Sequence, residues 1–309
     1  MQKKGDVILF LSDGKEIAKQ IVDPEGNVIK TEGKIPDGTV KRYHDNGEWS
    51  SEYNYASGEL SGISKTYYNS GKIFSEWSSK KGVLEGPFKT YYENGTLLSE
   101  INYKKGKKCG NFKTYYDDSA KRADGYIKNG MTEGEYRLYY PLGNLEILRN
   151  YRKGKMEGEF KKYYPHGEIA SEGNYKNGML HGAQIDYYEN GVIKREITFK
   201  KGSPHGDLKN YYITGDIKSE GKYKKGRLNG EKRDFYQTGE VKRLRNYSDG
   251  KLEGLQNGFY KNGNVMVEIL CKSGNLEGPI KTYDENGILS SQDEQSIKDI
   301  LNDDNNIKK

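Results

Sequence analysis

Two histidines, His181 and His205, stand 24 residues apart in matching local contexts, and glutamates recur at related positions: Glu52, Glu76, Glu100, Glu172, Glu196 and Glu220. Histidines can share a metal, and paired carboxylates can cleave a glycosidic bond. Neither chemistry is well supported by the pattern. Two imidazoles about 10 Å apart on neighbouring hairpins, without a third ligand nearby, read as turn residues. The glutamates recur in every region, whereas an active site is a local exception, so they read as a structural ladder. No Ser-His-Asp arrangement, Cys-His pair or phosphate-cradling glycine loop is recognisable. Cys109 and Cys271 occupy different positions in the pattern, so neither a disulfide nor a metal pair is expected between them. The expectation is a protein that is not an enzyme and uses no metal and no cofactor. What stands out instead is a row of tyrosines beside cations: Tyr67, Tyr91, Tyr115, Tyr139, Tyr163, Tyr187 and Tyr211, with Lys89, Lys113, Arg137 and Lys161. Tyrosine and arginine are enriched at interface hot spots, so this row is the candidate face for a protein partner. Stacking of glycan rings is an alternative, weakened by a tryptophan content of only Trp49 and Trp77.

These residues are positioned by a 24-residue period. Each tyrosine of the row is followed by a second aromatic, and that second tyrosine recurs at 68, 92, 116, 140, 164, 188, 212, 236 and 260, with His44 and Asp284 in the same position at the two ends. Fixed self-similarity of this kind marks a repeat array, and repeats add length without thickening a central core. One elongated domain is therefore expected from the 309 residues. Apolar residues make up 33% and charged residues 31%, which disfavours a thick core; the 27 tyrosines can bury rings while their hydroxyls stay wet. The net charge of +6 is spread through the repeats. It argues only weakly for an anionic membrane and makes nucleic acid an unlikely partner. The apolar run at 7–11 is too short to span a bilayer and is flanked by Asp6 and Asp13. A cytoplasmic location is expected for the chain as given, and an exported one if a leader was removed.

Residues 88–106 show the repeat most clearly. Two aromatic-rich runs flank Asn94-Gly95, the dipeptide that favours a two-residue type I′ hairpin turn. Counting from the second tyrosine as position zero, glycine fills +3 in every repeat except at Ser119, and fills both +14 and +18 throughout. Each repeat thus reads as strand, tight turn, strand, wider turn. A two-residue loop places Tyr92 opposite Leu97, Thr90 opposite Ser99, and Lys89 opposite Glu100. One face then carries the second tyrosines, their aliphatic partners and Phe88, Phe112, Phe160 and Leu208, and is the expected core. The other carries the tyrosine row and the Lys/Glu ladder. At two strands per repeat, ten repeats extend the sheet by on the order of 100 Å.

The string Tyr91-Tyr92-Glu93-Asn94-Gly95, with Ser99-Glu100, Tyr103-Lys104 and Gly106, resembles the MORN repeat variant of bacterial proteins, including the YwqK-family antitoxins; Tyr187-Tyr188-Glu189-Asn190-Gly191 with Glu196 and Gly202 repeats it. The resemblance implies antitoxin-like or immunity-like binding of a protein partner, with lipid or peripheral-membrane binding as the alternative. The expected fold class is all-β: an elongated antiparallel β-hairpin array of 24-residue MORN-like repeats over 38–287, about ten full and a partial eleventh. A divergent β cap is expected over 1–37, with strands at 7–11 and 17–22. A short capping helix or tail is expected over 288–309, where Ile297, Ile300 and Leu301 fall at helical spacing. The string Asp117-Asp118-Ser119-Ala120-Lys121-Arg122 departs most from the repeat and predicts a bulge or a specific contact.

Overall fold

In the computed structural model, residues 6–12, 15–22 and 28–293 are described, and every regular element among them is a β-strand. The alternation of aromatic and polar residues between glycine turns gives strands of four to nine residues across most of the array, paired antiparallel in chain order. The chain divides into two compact bodies, Met1–Gly143 and Asn144–Lys309. The first begins with a three-stranded sheet of β1 (Asp6–Ser12), β2 (Lys15–Val22) and β3 (Val28–Gly33), in that order. The two expected cap strands are present, and a third follows them. The expected turns at 13–14 and 23–26 lie outside the described residues. The stretch expected as a capping helix or tail over 288–309 begins instead with a strand, Leu289–Asp293, paired to Ile280–Tyr283; Ile297, Ile300 and Leu301, where the helix is expected, lie outside the described residues. The cap buries Phe10, Ala18 and Ile35 against Tyr55, and the Phe10 and Tyr55 rings meet edge to face at 5.5 Å.

The turns exchange the geometries that the sequence suggests. At Asn94-Gly95 the Gly95 amide donates to the Tyr92 carbonyl at 2.8 Å, and the Tyr92 amide donates to the Thr96 carbonyl at 2.8 Å. This is a three-residue loop, a type I turn closed by a left-handed Gly95 at φ 92°, and not the expected two-residue loop. Asn94 is held out of the left-handed region by its own side chain, whose Oδ1 accepts the Thr96 amide at 2.9 Å. The two-residue turn lies instead at Lys105-Gly106, with φ of 52° and 72°, between the paired Lys104 and Lys107.

The longer loop changes the register only near the tip. Lys89 still pairs with Glu100 and Thr90 with Ser99, as expected, but Leu97 pairs with Tyr91 and not with Tyr92. A bulge at Leu98 restores the step. The expected pairing of Tyr92 with Leu97 is therefore corrected, and so is the face of the aliphatic row. Trp49, in the Leu97 position, packs edge to face on Tyr67 at 6.0 Å beneath the Lys41 ammonium, so that row lies on the ladder face. The second tyrosine packs on the bulged residue, as Tyr68 does on Phe74 at 5.1 Å.

The expected core face otherwise holds. Phe88 stacks on Trp77 at 5.6 Å and meets Tyr103 at 5.8 Å in the first body. In the second, Phe160 meets Tyr175 at 5.1 Å, Ile197 and Leu208 are buried, and Leu252, Val267, Ile269, Cys271 and Ile280 form a cluster. Polar pairs run between these rows: Thr90 with Ser99 at 2.6 Å, Asn210 with Ser219 at 2.8 Å, and Arg195 Nε to Asp186 at 2.7 Å. At the departing tip, Ser119 takes the glycine's left-handed conformation at φ 72° and keeps both turn hydrogen bonds. The expected contact is present nearby, with Lys121 bonded to Asp124 at 2.8 Å and lying over the Tyr139 ring at 4.3 Å.

Candidate functional site

The ladder face is built by the strand pairs just described. Ladder glutamates face a lysine on their own hairpin, take a hydrogen bond from a first tyrosine on the next one, or, as Glu52 and Glu172 do, both. Lys41 reaches Glu52 at 3.2 Å, Lys65 reaches Glu76 at 3.5 Å, Lys89 reaches Glu100 at 3.9 Å, and Lys161 reaches Glu172 at 3.7 Å. The Tyr67 hydroxyl donates to Glu52 at 2.5 Å, Tyr187 to Glu172 at 2.7 Å, and Tyr211 to Glu196 at 3.3 Å. The rings are thereby fixed at the hydroxyl and left with one side toward solvent.

On the first body the strip gathers Tyr67, Tyr91, Tyr115, Tyr139, Lys89, Lys113 and Arg137; on the second it gathers Tyr163, Tyr187, Tyr211 and Lys161. The seven tyrosines, Lys89 and Lys161 are half-buried, while Lys113 and Arg137 are exposed. Arg137 departs from the lysine pattern by binding Asp124 at 3.4 Å and also contacting Glu135. Of the two tryptophans, Trp77 lies inside against Phe88, so only Trp49 stands on this face.

The hydroxyl-to-carboxylate bonds set a pH dependence. Burial, then the hydrogen bond to Glu172 and the charges of Glu172 and Glu196, push the Tyr187 phenol up to about 12. Tyr67 and Tyr211 are raised as well, burial leading in both. A folded-state value above the ordinary one means that the neutral phenol belongs to the folded form. Its stabilisation is complete below the unfolded tyrosine value of about 10 and is lost as pH rises through the folded value. Absorbance titration at 295 nm is expected to show a late component near pH 12 that disappears in Tyr187→Phe.

The repeats are also joined at their rims. The second-tyrosine hydroxyl donates to the carbonyl of the next repeat's first aromatic: Tyr68 to Tyr91, Tyr92 to Tyr115, Tyr116 to Tyr139, Tyr164 to Tyr187, Tyr188 to Tyr211, Tyr212 to Phe235, Tyr236 to Phe259 and Tyr260 to Tyr283, all between 2.7 and 2.9 Å. His44, in the same position, contacts the Tyr67 carbonyl through Nε2 at 3.1 Å. At the opposite rim a side-chain acceptor caps the next two-residue turn. Glu85 accepts the Lys105 amide at 2.8 Å, Glu157 accepts the Asn177 amide at 2.7 Å, and His205 Nδ1 lies 3.5 Å from the Lys225 amide. His205 thus shares a structural position with glutamates, and His181 occupies that position in its own repeat.

One feature was not singled out from the sequence. In three successive repeats of the second body the bulged residue is a lysine, and Lys194, Lys218 and Lys242 lie over Tyr188, Tyr212 and Tyr236 at 5.6, 5.7 and 5.6 Å. The signal was available in the recurrence of lysine at one position.

The MORN repeat variant family matches residues 36–57, 60–81, 84–105, 132–153, 156–177, 180–201 and 276–294. No curated protein matches the chain. Among solved structures, the TcdB2-TccC3-TEV crystal structure is 13% identical, with a TM-score of 0.19 over 92% of this chain and 16% of that one. TcdB2-TccC3 is 13% identical, with a TM-score of 0.19 over 91% and 17%. A Tc holotoxin pore of Photorhabdus luminescens is 12% identical, with a TM-score of 0.19 over 91% and 16%. The chain spans about a sixth of the length of each, and a likeness at this level fixes neither fold nor function.

Proposed function

Because this chain carries multiple repeats of the MORN variant, we propose that it is a non-enzymatic scaffold whose ladder face binds a protein partner, in the manner of an antitoxin or immunity component. The supporting observation is the fixing of the tyrosine rings by Tyr67–Glu52, Tyr187–Glu172 and Tyr211–Glu196 hydrogen bonds. Rings already held in one orientation lose little freedom on binding, and tyrosine adds large contact area with few rotatable bonds. The test is co-purification of the full chain with the product of the neighbouring gene, followed by titration of variants. Tyr67→Ala and Tyr187→Ala are each expected to weaken the complex by about tenfold or more, the size of an interface hot spot, and Tyr187→Phe, which releases the ring from Glu172, by a smaller factor. Absence of a complex, together with no rescue from that product's toxicity, would count against the antitoxin reading.

A second reading rests on the row Lys194, Lys218 and Lys242, whose ammonium groups stand along one rim of the second body above tyrosine rings. Such a row suits an anionic membrane surface, at roughly 1 kcal/mol per lysine near the headgroups. Flotation with phosphatidylserine vesicles at low salt tests it, since screening is weakest there. Loss of flotation in the triple Lys→Gln variant is the expected outcome.

A further inference from the structure

Charge is spread along the repeats but divided across them. Each body has two rims, one formed by the three-residue turns and one by the two-residue turns. In the second body the segments around the two-residue turns, at 152–157, 176–181, 200–205, 224–229, 248–253 and 272–277, hold eleven lysines and arginines against four carboxylates. All eleven cations are exposed, and Lys176, Lys200 and Lys224 occupy one position in successive repeats. The four carboxylates are spent within the chain. Glu157 accepts the Asn177 amide and Glu253 the Ser273 amide, each at 2.7 Å. Asp249 pairs with Arg227 at 3.8 Å and Glu277 with Lys272 at 3.6 Å, so these two cations are already partly neutralised.

The rim of three-residue turns has the opposite sign. In the first body its tips, at 44–48, 68–72, 92–96, 116–120 and 140–143, hold Asp45, Glu48, Glu93, Asp117 and Asp118 against Lys72 alone. All five carboxylates are exposed. Behind these tips Lys121 is bonded to Asp124 at 2.8 Å, and Arg122 lies over the Tyr116 ring at 6.0 Å. The tips of the second body are acidic as well, through Glu168, Glu189, Asp216, Glu240 and Glu285, but there Lys194, Lys218 and Lys242 stand close behind over tyrosine rings. The first body therefore offers the less compensated acidic rim.

We propose that the basic rim of the second body docks on the acidic rim of the first body of another copy of this chain. Both rims advance by one repeat, two strands or about 10 Å, so a match made at one turn is offered again at the next. Complementary rows of this kind fix partner and register. A nucleic-acid duplex is the other class of partner for a row of cations, but it presents a charge about every 1.7 Å, far denser than one turn per repeat. The two rims are different surfaces, so the contact is heterologous and leaves each pair of copies with one rim of each sign still open. The ladder tyrosines take no part in it.

Sedimentation velocity of the full chain at about 0.01 M and about 1 M salt, where the screening length falls from about 30 Å to about 3 Å, tests the contact. The wild type is expected to associate with rising concentration at low salt and to be monomeric at high salt. The triple variant Lys176→Gln, Lys200→Gln, Lys224→Gln removes charge from one rim, and Asp45→Asn, Glu93→Gln, Asp117→Asn removes it from the other; all six side chains are exposed, so both variants are expected to keep the wild-type circular dichroism. Each variant alone is expected to associate about tenfold or more weakly than the wild type, the sum of three exposed charge pairs. An equal mixture of the two is expected to recover the wild-type affinity and to stop at one-to-one pairs, because each variant keeps the rim that the other needs. The salt dependence of the wild type stands even if a variant fails to fold. The proposal is overturned if the wild type stays monomeric at low salt, including a wild type that binds a DNA duplex only, if the mixture associates no better than its components, or if association persists at high salt.

Discussion

Replacing Tyr188 by alanine is expected to lower the unfolding free energy by about 3 kcal/mol, at the low end for loss of a large ring because this one is half-buried. Replacement by phenylalanine should cost about 1 kcal/mol, the net worth of one hydrogen bond. The difference separates two jobs of one side chain. The hydroxyl donates to the Tyr211 carbonyl at 2.8 Å, joining one repeat to the next, while the ring supports the Lys194 ammonium at 5.6 Å. Urea unfolding measures the totals. Hydrogen exchange locates them, with the largest loss of protection expected in the strand Ser203–Tyr211 and its partner Ile217–Lys224. Equal costs for the two variants would show that the ring contributes nothing beyond its hydroxyl.

Ile35→Ala is expected to cost about 2 to 5 kcal/mol, the range for a buried aliphatic residue whose cavity cannot collapse. Ile35 is 1% exposed and lies among Phe10, Ala18 and Tyr55. That cluster is where the three-stranded cap meets the first hairpins of the first body. The close approach of Gly33, where a Cβ would meet the Ile17 carbonyl oxygen at 2.3 Å, leaves the adjoining backbone little room to close the void. Limited proteolysis should therefore cut this variant within the cap before it cuts the repeats, and an unchanged digestion pattern would remove Ile35 as the cap's anchor.

The period, the hairpins and the Lys/Glu ladder were legible because each is repeated. Lys89 with Glu100 and Lys161 with Glu172 could be paired from the sequence and are paired in the structure. The turns were harder to read. Asn94-Gly95 carries the strongest two-residue signal, but the Asn94 side chain binds the Thr96 amide and, through Nδ2, the Asp117 carbonyl at 2.9 Å, which draws it into a longer loop. Lys105-Gly106 carries no such signal, because lysine has no preference for the left-handed region. The Glu85 carboxylate, 20 residues earlier, accepts the Lys105 amide at that turn. That one-residue difference moved Leu97 and Trp49 to the ladder face. The tyrosine row itself was correctly placed, because the bulge at Leu98 restores the parity below it.

The tyrosine-to-carbonyl bonds each span 23 residues, one short of the period. A repeat therefore carries both a hydroxyl for its successor and a carbonyl for its predecessor. Copying one 24-residue segment in tandem, or deleting one, leaves no donor or acceptor without its counterpart. The seam is inherited with the segment, so a gene encoding such a chain can change length by whole teeth, like a zip, while every joint stays the same.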